Sequence, residues 1–177
     1  MEKRCNGLDR RRKLHILKIP RLKGGAVNLY SLLKPERINL DLTSRKKQDV
    51  LLELVSSFRE DEDSGLLVST LLKREDLGST GIGKGVAIPH GRSLVVDKLE
   101  LVVGRSTKGI SFDAIDKKPV HLFFLIVAPP QDPGNQYLIT LGRVAVVCQE
   151  LLKRKQYEKP QTPEEFIQLV KEIEGNL

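Results

Sequence analysis

The sequence predicts an α/β fold in which helices cover a β-sheet. Segments with apolar residues at helical spacing alternate along the chain with short apolar segments typical of strands. One of these, Val120–Val127, is almost entirely apolar, as expected of a central strand buried on both faces. Hydrophobic residues at 40% and charged residues at 30% are ordinary for a globular domain of this length.

The first half of the chain supplies five predicted elements. In order, these are a short helix over 29–33, a strand over 37–40, a helix to Phe58, a helix over 66–75 and a strand over 86–88. Asp41 or Thr43 can cap the first long helix. A glycine-rich segment, Leu77–Gly85, precedes the last strand, which ends at Pro89-His90-Gly91.

The second half continues the alternation. Strands are predicted over 99–104 and 120–127, with a short strand or turn between them. After a loop with three prolines, apolar residues from Tyr137 to Leu152 recur at helical spacing. Thr162, Pro163 and Glu165 form the start signal of a last helix: a capping hydroxyl, proline at the first position and glutamate three residues after the cap.

The positive net charge belongs to the amino-terminal end. Residues 1–26 hold nine of the 30 Lys and Arg but two of the 23 Asp and Glu, so the whole excess of +7 lies there. We expect residues 1–26 to be a basic, disordered tail and residues 27–177 to be one charge-neutral domain. The tail could bind nucleic acid, an acidic lipid surface or an acidic partner, or be a leader without such a role.

The sequence gives little support for a membrane span, a disulfide bond or a metal site. No apolar run reaches the roughly 18 residues of a membrane span. Cys5 lies in the tail and Cys148 in an apolar helical segment, where it is expected to be a small core residue. The three histidines have no metal-ligand spacing. We therefore expect a cytoplasmic protein that needs no metal and no organic cofactor.

His90 is the histidine whose position favours chemistry. It follows Pro89 at the end of a short apolar strand, and Gly91 leaves its ring uncovered. By contrast, His15 lies in the tail, and His121 lies within an apolar strand, where one satisfied nitrogen is expected. Exposed loop histidines are common, so position alone leaves the role of His90 open.

The residues around His90 are suited to a phosphoryl group. A histidine that accepts one must be neutral at the attacking nitrogen, and the transferred group needs donors for its oxygens. Candidate donors are the side chains of Arg74, Ser79, Thr80 and Arg92 and the backbone of the glycine-rich segment. The four glycines could equally form only a wide turn, and their spacing matches neither nucleotide-binding fingerprint.

The nineteen residues Arg74–Arg92 resemble the signature of the mannitol/fructose-type (type 2) enzyme IIA domain of the bacterial phosphotransferase system, and most closely its nitrogen-regulatory branch. The segments Gly109–Asp116 and Phe124–Pro129 are also similar to that branch. The resemblance spans about Leu29 to Ile173. It implies an α/β sandwich with a mixed sheet flanked by helices.

The resemblance also implies a phosphohistidine carrier, a phosphotransferase component. His90 would be the residue that accepts the phosphoryl group from the histidine-containing phosphocarrier protein. The next partner would be an enzyme IIB in the sugar-transport branch, or a target protein in the nitrogen-regulation branch. Because the sequence shows no fused IIB or membrane IIC segment, we favour the regulatory branch.

Tyr137 departs from the family pattern, which has a second histidine at this position. A tyrosine hydroxyl can donate a hydrogen bond but cannot become a cation. Lost charge stabilisation would slow phosphoryl transfer by about 10²-fold. The alternative is therefore a non-catalytic, regulatory protein-binding module of the same fold, in which phosphotransfer is weakened or lost.

Overall fold

The computed structural model describes residues 28–177. In this part of the chain six strands form one mixed sheet, which five α-helices flank. The strands are β1 (Ile38–Asn39), β2 (Gly81–Gly83), β3 (Val86–Ala87), β4 (His90–Arg92), β5 (Glu100–Ile110) and β6 (Val120–Ala128). The helices are α1 (Leu29–Leu32), α2 (Lys47–Ser56), α3 (Asp63–Asp76), α4 (Gln136–Leu152) and α5 (Pro163–Gly175). The predicted α/β sandwich is confirmed, whereas the predicted tail lies outside the described residues.

β6 is the centre of the sheet, as its apolar sequence predicts. The strand order is β1-β5-β6-β3-β2, with β5 antiparallel and β3 parallel to β6. β4 also pairs with β6 in parallel, on the same side as β3. β3 and β4 therefore lie one after the other along the same edge of β6. This alignment places β4, which begins with His90, beside the carboxyl end of β6, where His90 pairs with Ile126.

Two apolar layers hold the helices against the sheet. Alternate residues of β6 point to opposite faces, as the two-residue period of a strand requires. Phe124 packs with α4 and α5 in one layer, and Phe123 packs with α2 and α3 in the other. All residues from Leu122 to Ala128 are fully buried. None of the helices in residues 28–177 is long and apolar enough to span a membrane.

Local signals predicted some helix ends correctly and others wrongly. α5 begins as predicted, because the Thr162 hydroxyl accepts a hydrogen bond from the backbone N–H of Glu165 at 3.2 Å. The first long helix was expected to begin after Asp41 or Thr43, but α2 begins at Lys47. The carboxylate of Glu53 instead binds the backbone N–H groups of Thr43 and Ser44, at 3.0 and 2.9 Å, and holds them outside the helix.

Candidate functional site

The ring of His90, at the start of β4, is held by a backbone carbonyl two residues earlier in the chain. Its ring is half-buried, and its Nδ1 lies 2.6 Å from the carbonyl oxygen of Ile88. Pro89 lies between them, and its fixed φ restricts this turn. A carbonyl oxygen can only accept a hydrogen bond, so the ring proton belongs on Nδ1 when the ring is neutral. Nε2 then carries the lone pair.

The surroundings of His90 favour its neutral form. Burial is the main cause that lowers its pKa below 6.5, and the positive charge of Arg74 lowers it further. The hydrogen bond to Ile88 and the negative charge of Glu75 act in the opposite direction without reversing the shift. A neutral imidazole with an exposed lone pair is a nucleophile at neutral pH.

Arg92 and Tyr137 form the wall next to His90. The rings of His90 and Tyr137 are tilted relative to one another, with centroids 6.1 Å apart. The Arg92 guanidinium lies 4.9 Å from the centroid of the Tyr137 ring, in cation–π geometry. Burial raises the pKa of Tyr137, and the charges of Arg74 and Arg92 oppose that rise. Tyr137 therefore lies next to the candidate nucleophile.

Asp132 anchors this wall. Its carboxylate accepts hydrogen bonds from the backbone N–H groups of Gln136 and Tyr137, at 2.9 and 3.0 Å, and caps α4. The same carboxylate lies 3.3 Å from Nη2 of Arg92. Nη1 of Arg92 donates to the carbonyl of Pro130 at 2.9 Å. One carboxylate, 7% exposed at its side chain, thus sets both the start of α4 and the position of a guanidinium.

The hydroxyls of Ser79 and Thr80 already have partners. Ser79 donates to the carbonyl of Phe112 at 3.0 Å. Thr80 is buried, and both its hydroxyl and its backbone N–H bind the carboxylate of Glu75. A hydroxyl has a single proton to donate, so in this arrangement both groups order the loop after α3. Their predicted contact with a phosphoryl group stays a prediction.

Arg74 closes the same loop from the end of α3. Its Nη1 donates to the carbonyl of Gly78 at 3.0 Å. Its positive charge lowers the pKa of both His90 and Tyr137. The structure thus places Tyr137 next to His90 and Arg92 next to Tyr137, and the charge of Arg74 acts on both rings.

The second part of the glycine-rich segment lies away from His90. The sequence suggested that its backbone could approach a phosphoryl group there. In the structure Gly83, Lys84 and Gly85 form the β2–β3 turn, all with positive φ. A Cβ built on Gly85 would lie 3.4 Å from Cδ2 of His121, and one on Gly83 would lie 3.2 Å from Asp116. That part of the expectation is wrong, because the β2–β3 hairpin carries the turn to the other end of β6.

The other histidine of the described residues and the buried cysteine have the local surroundings that the sequence predicts. His121 has one ring nitrogen bound, with its Nδ1 2.9 Å from the carbonyl of Ser106. Cys148 is fully buried in α4, and burial raises the pKa of its thiol. Within residues 28–177 no group of three or more His, Cys, Asp or Glu side chains is arranged to hold a metal ion.

Three groups at the site were not predicted from the sequence. The carbonyl of Ile88 has no side-chain signature, and Asp132 lies in a proline loop where a carboxylate is unremarkable. Glu75 stands inside the signature segment, but nothing local shows that its carboxylate folds back onto Thr80. Asp132 could have been found as a capping candidate, since acids are favoured before helices.

Comparisons with known proteins identify the family of the chain. Residues 31–173 match the family model described as phosphoenolpyruvate-dependent sugar phosphotransferase system, EIIA 2. The chain is 35% identical over 157 residues to a nitrogen regulatory protein of Escherichia coli K12, covering 84% of this chain and 93% of that one. It is 29% identical over 147 residues to a fructose-specific EIIABC component of Bacillus subtilis, covering 81% of this chain but 23% of that longer protein.

Solved structures show the same fold. Nitrogen regulatory protein IIA-Ntr of Neisseria meningitidis superposes with a TM-score of 0.72 at 28% identity, covering 80% of this chain and 98% of that one. Escherichia coli IIA mannitol, in its complex with phosphorylated IIB mannitol, superposes with a TM-score of 0.61 at 19% identity, covering 78% and 96%. The second likeness concerns the fold alone. On the evidence of the family model and the relatives together, the chain belongs to the EIIA type 2 family of the phosphoenolpyruvate-dependent sugar phosphotransferase system.

Proposed function

We propose that this protein is a phosphohistidine carrier in which Nε2 of His90 accepts the phosphoryl group. The observation that carries this proposal is the 2.6 Å contact between Nδ1 of His90 and the carbonyl of Ile88, which leaves Nε2 with the lone pair. The lowered pKa of His90 supports it, because a protonated Nε2 could not attack phosphorus. Membership of the EIIA family supplies the reaction class.

The proposed donor is the phosphorylated histidine of the histidine-containing phosphocarrier protein. The Nε2 lone pair of His90 attacks phosphorus, a new N–P bond forms, and the N–P bond of the donor breaks. The donor ring keeps the electron pair and becomes neutral. The His90 ring takes up positive charge while Nδ1–H stays bound to Ile88, so no proton has to leave during the step.

Arg74 and Arg92 are the proposed partners of the phosphoryl oxygens. Both are partly exposed, and a guanidinium can donate two parallel hydrogen bonds to phosphate. Arg92 is held by Asp132 and by its contact with Tyr137, so little freedom is lost when it binds. Ser79 and Thr80 would contribute by ordering the loop, and by donating directly if their hydroxyls rotate towards the phosphoryl group.

The surface around His90 suits docking of another protein. Leu77, Leu94 and Leu138 follow closely on Arg74, Arg92 and Tyr137, and they are 86%, 82% and 58% exposed. Exposed leucines, here close in sequence to the site residues, are typical of protein contact surfaces. The downstream partner would then be an enzyme IIB or a regulatory target. Neighbours named as nitrogen regulatory proteins favour the regulatory target.

A second candidate function is a non-catalytic regulatory module of the same fold. Tyr137 favours it, because its ring contacts Arg92 in the place where the family has a second histidine, and it is 8% exposed. Such a module would bind partners through the surface around His90 without carrying a phosphoryl group at a useful rate.

Intact-mass analysis separates the two functions. The protein is incubated with phosphoenolpyruvate, enzyme I and the histidine-containing phosphocarrier protein. We expect one acid-labile, base-stable adduct of about 80 Da, the mass of one phosphoryl group, on the wild type and on a His121→Ala control, and none on His90→Ala. An adduct that persists on His90→Ala would refute the assignment. A wild type that acquires no adduct would favour the non-catalytic module.

A further inference from the structure

A cavity of about 710 Å³ lies at the amino-terminal end of β6, whereas His90 lies at its carboxyl end. Its lining includes the β2–β3 turn at Lys84 and Gly85 and the start of β6 at His121. Three residues of the 3-10 helix Lys153–Glu158 also line it: Lys155, Tyr157 and Glu158. His121 is five residue positions along β6 from Ile126, the partner of His90. At about 3.3 Å per residue this is about 16 Å, so the cavity is separate from the phosphorylation site.

The ring of His121 is fixed where it lines this cavity. Nδ1 lies 2.9 Å from the carbonyl of Ser106, so the neutral ring carries its proton on Nδ1 and its lone pair on Nε2. Gly109 allows this close approach, because a Cβ there would lie 2.8 Å from Cε1 of the ring and its φ is +76°. His121 thus shares with His90 a ring orientation that is set by a backbone carbonyl.

Positive side chains surround this ring. The cavity lining contains Lys84, Arg105, Lys118 and Lys155 and a single carboxylate, that of Glu158. Glu158 pairs with Lys155 at 3.2 Å, which leaves three further cations in the lining. A cavity whose wall carries such an excess of positive charge attracts anions.

Hydrogen bonds order the segments that carry these cations. Asp116 accepts from the backbone N–H groups of Lys84 and Lys118, at 2.8 and 3.1 Å, and so fixes the two turns that carry them. Arg105 is buried and donates to the carbonyls of Tyr157 and Pro160, at 3.2 and 2.6 Å, which ties the 3-10 helix to β5. The positively charged side chains are therefore carried by ordered segments of backbone.

We propose that this cavity is a second ligand site, which binds a small phosphate-bearing anion independently of the phosphoryl group on His90. The volume lies within the range of small-molecule sites, and lysine ammonium groups are common phosphate ligands. The carboxylates of Asp116, beside the lining, and of Glu158, within it, add negative charge here, which fits a small ligand better than a nucleic-acid strand.

Histidine NMR resonances test this site with inorganic pyrophosphate as the probe. The full chain has three histidines, and each reports one region: His15 the amino-terminal segment, His90 the candidate phosphorylation site and His121 the cavity. At constant ionic strength and neutral pH, we expect the His121 signal to shift and saturate at lower pyrophosphate concentration than the other two. Absence of a saturating shift at His121 would overturn the proposal.

A pair of matched variants checks the charges. Lys84→Gln with Lys118→Gln should weaken pyrophosphate binding, read at His121, by about tenfold or more. Lys98→Gln with Lys171→Gln removes the same charge from exposed positions outside the lining and should leave the affinity unchanged. Equal affinity in both variants would overturn the proposal, as would a single-stranded RNA that shifts His121 and is not displaced by pyrophosphate.

Discussion

At the scale of single residues, a backbone carbonyl decides which nitrogen of His90 can react. The carbonyl of Ile88 accepts a hydrogen bond from Nδ1–H, and burial together with the charge of Arg74 disfavours a second proton on the ring. The first effect sets the position of the proton on the neutral ring, and the second keeps the ring neutral against the opposing effect of the hydrogen bond to Ile88. The net result is a neutral ring with a lone pair on Nε2.

The lowered pKa of His90 predicts a pH dependence of stability. The unfolded chain binds a proton at His90 more readily than the folded one, whose pKa lies below 6.5. The free energy of unfolding should therefore fall as the pH drops through 6.5 towards the folded pKa, and this part of the decrease should be absent in His90→Gln. Urea unfolding at several pH values measures it. Identical slopes in the wild type and the variant would contradict the prediction.

Tyr137 offers a test of the second-histidine position. Because its ring lies 6.1 Å from that of His90, Tyr137→His would place a group able to carry charge beside the phosphoryl group. We expect phosphoryl transfer to become about 10-fold faster, equivalent to about 1.4 kcal/mol of barrier. Rapid-quench kinetics with the phosphorylated carrier protein measures the rate.

Tyr137→Phe is the matched control for this substitution. It keeps the ring against Arg92 and removes only the hydroxyl. Slower transfer in this variant would identify the hydroxyl as a donor, whereas an unchanged rate would identify a packing ring. A Tyr137→His protein no faster than the wild type would show that charge at this position does not limit transfer.

At the scale of elements, the start of α4 and the end of β4 form one unit. Asn135, the residue before α4, has a positive φ of 54° and makes no side-chain cap. Asp132 caps the helix from the proline loop and binds Arg92, the last residue of β4. Helix capping and placement of the guanidinium thus depend on the same carboxylate.

Substitution of Asp132 separates its two contributions. Asp132→Ala removes both the cap and the ion pair and should lower the free energy of unfolding by about 1–2 kcal/mol. Asp132→Asn keeps an oxygen acceptor and should cost less stability, yet it should release Arg92 and slow phosphoryl transfer. Urea unfolding and transfer kinetics distinguish these effects. An Asp132→Ala protein as stable as the wild type would refute the capping role.

At the scale of the whole molecule, the sheet separates two helical layers, and polar contacts join the helices α1, α4 and α5 within one of them. Glu174 of α5 accepts from the backbone N–H groups of Leu29 and Tyr30, at 2.9 and 3.0 Å, and pairs with Arg143 of α4 at 2.9 Å. Leu29 is fully buried. The first described residues therefore belong to the domain, and the boundary between residues 26 and 27 stays a prediction.

Deletion of residues 1–26 tests that boundary. We expect the truncated protein to keep its thermal midpoint, because Leu29 and its hydrogen bond to Glu174 remain. Its binding to polyanions should also depend much less on salt. The slope of the logarithm of the binding constant against the logarithm of the salt concentration falls in magnitude by about one for each Lys or Arg that no longer neutralises an anionic group. Thermal unfolding and binding to heparin at several salt concentrations measure the two effects. A large fall in the thermal midpoint would show that the segment packs on the domain.

The sequence by itself determined the features that depend on short stretches of chain. The apolar run of β6, the cap of α5 and the family signature around His90 can be read from neighbouring residues. Periodicity and capping act over a few residues, and for this reason the α/β class and the candidate nucleophile were predicted.

The tertiary structure alone decided which groups meet. Asp132 reaches Arg92 across 40 positions, and Ser79 reaches Phe112 across 33. The same packing took the Gly83–Gly85 turn away from His90 and placed it beside His121. These interactions follow from how strands and helices pack, and packing depends on the whole chain, so no local pattern carries them.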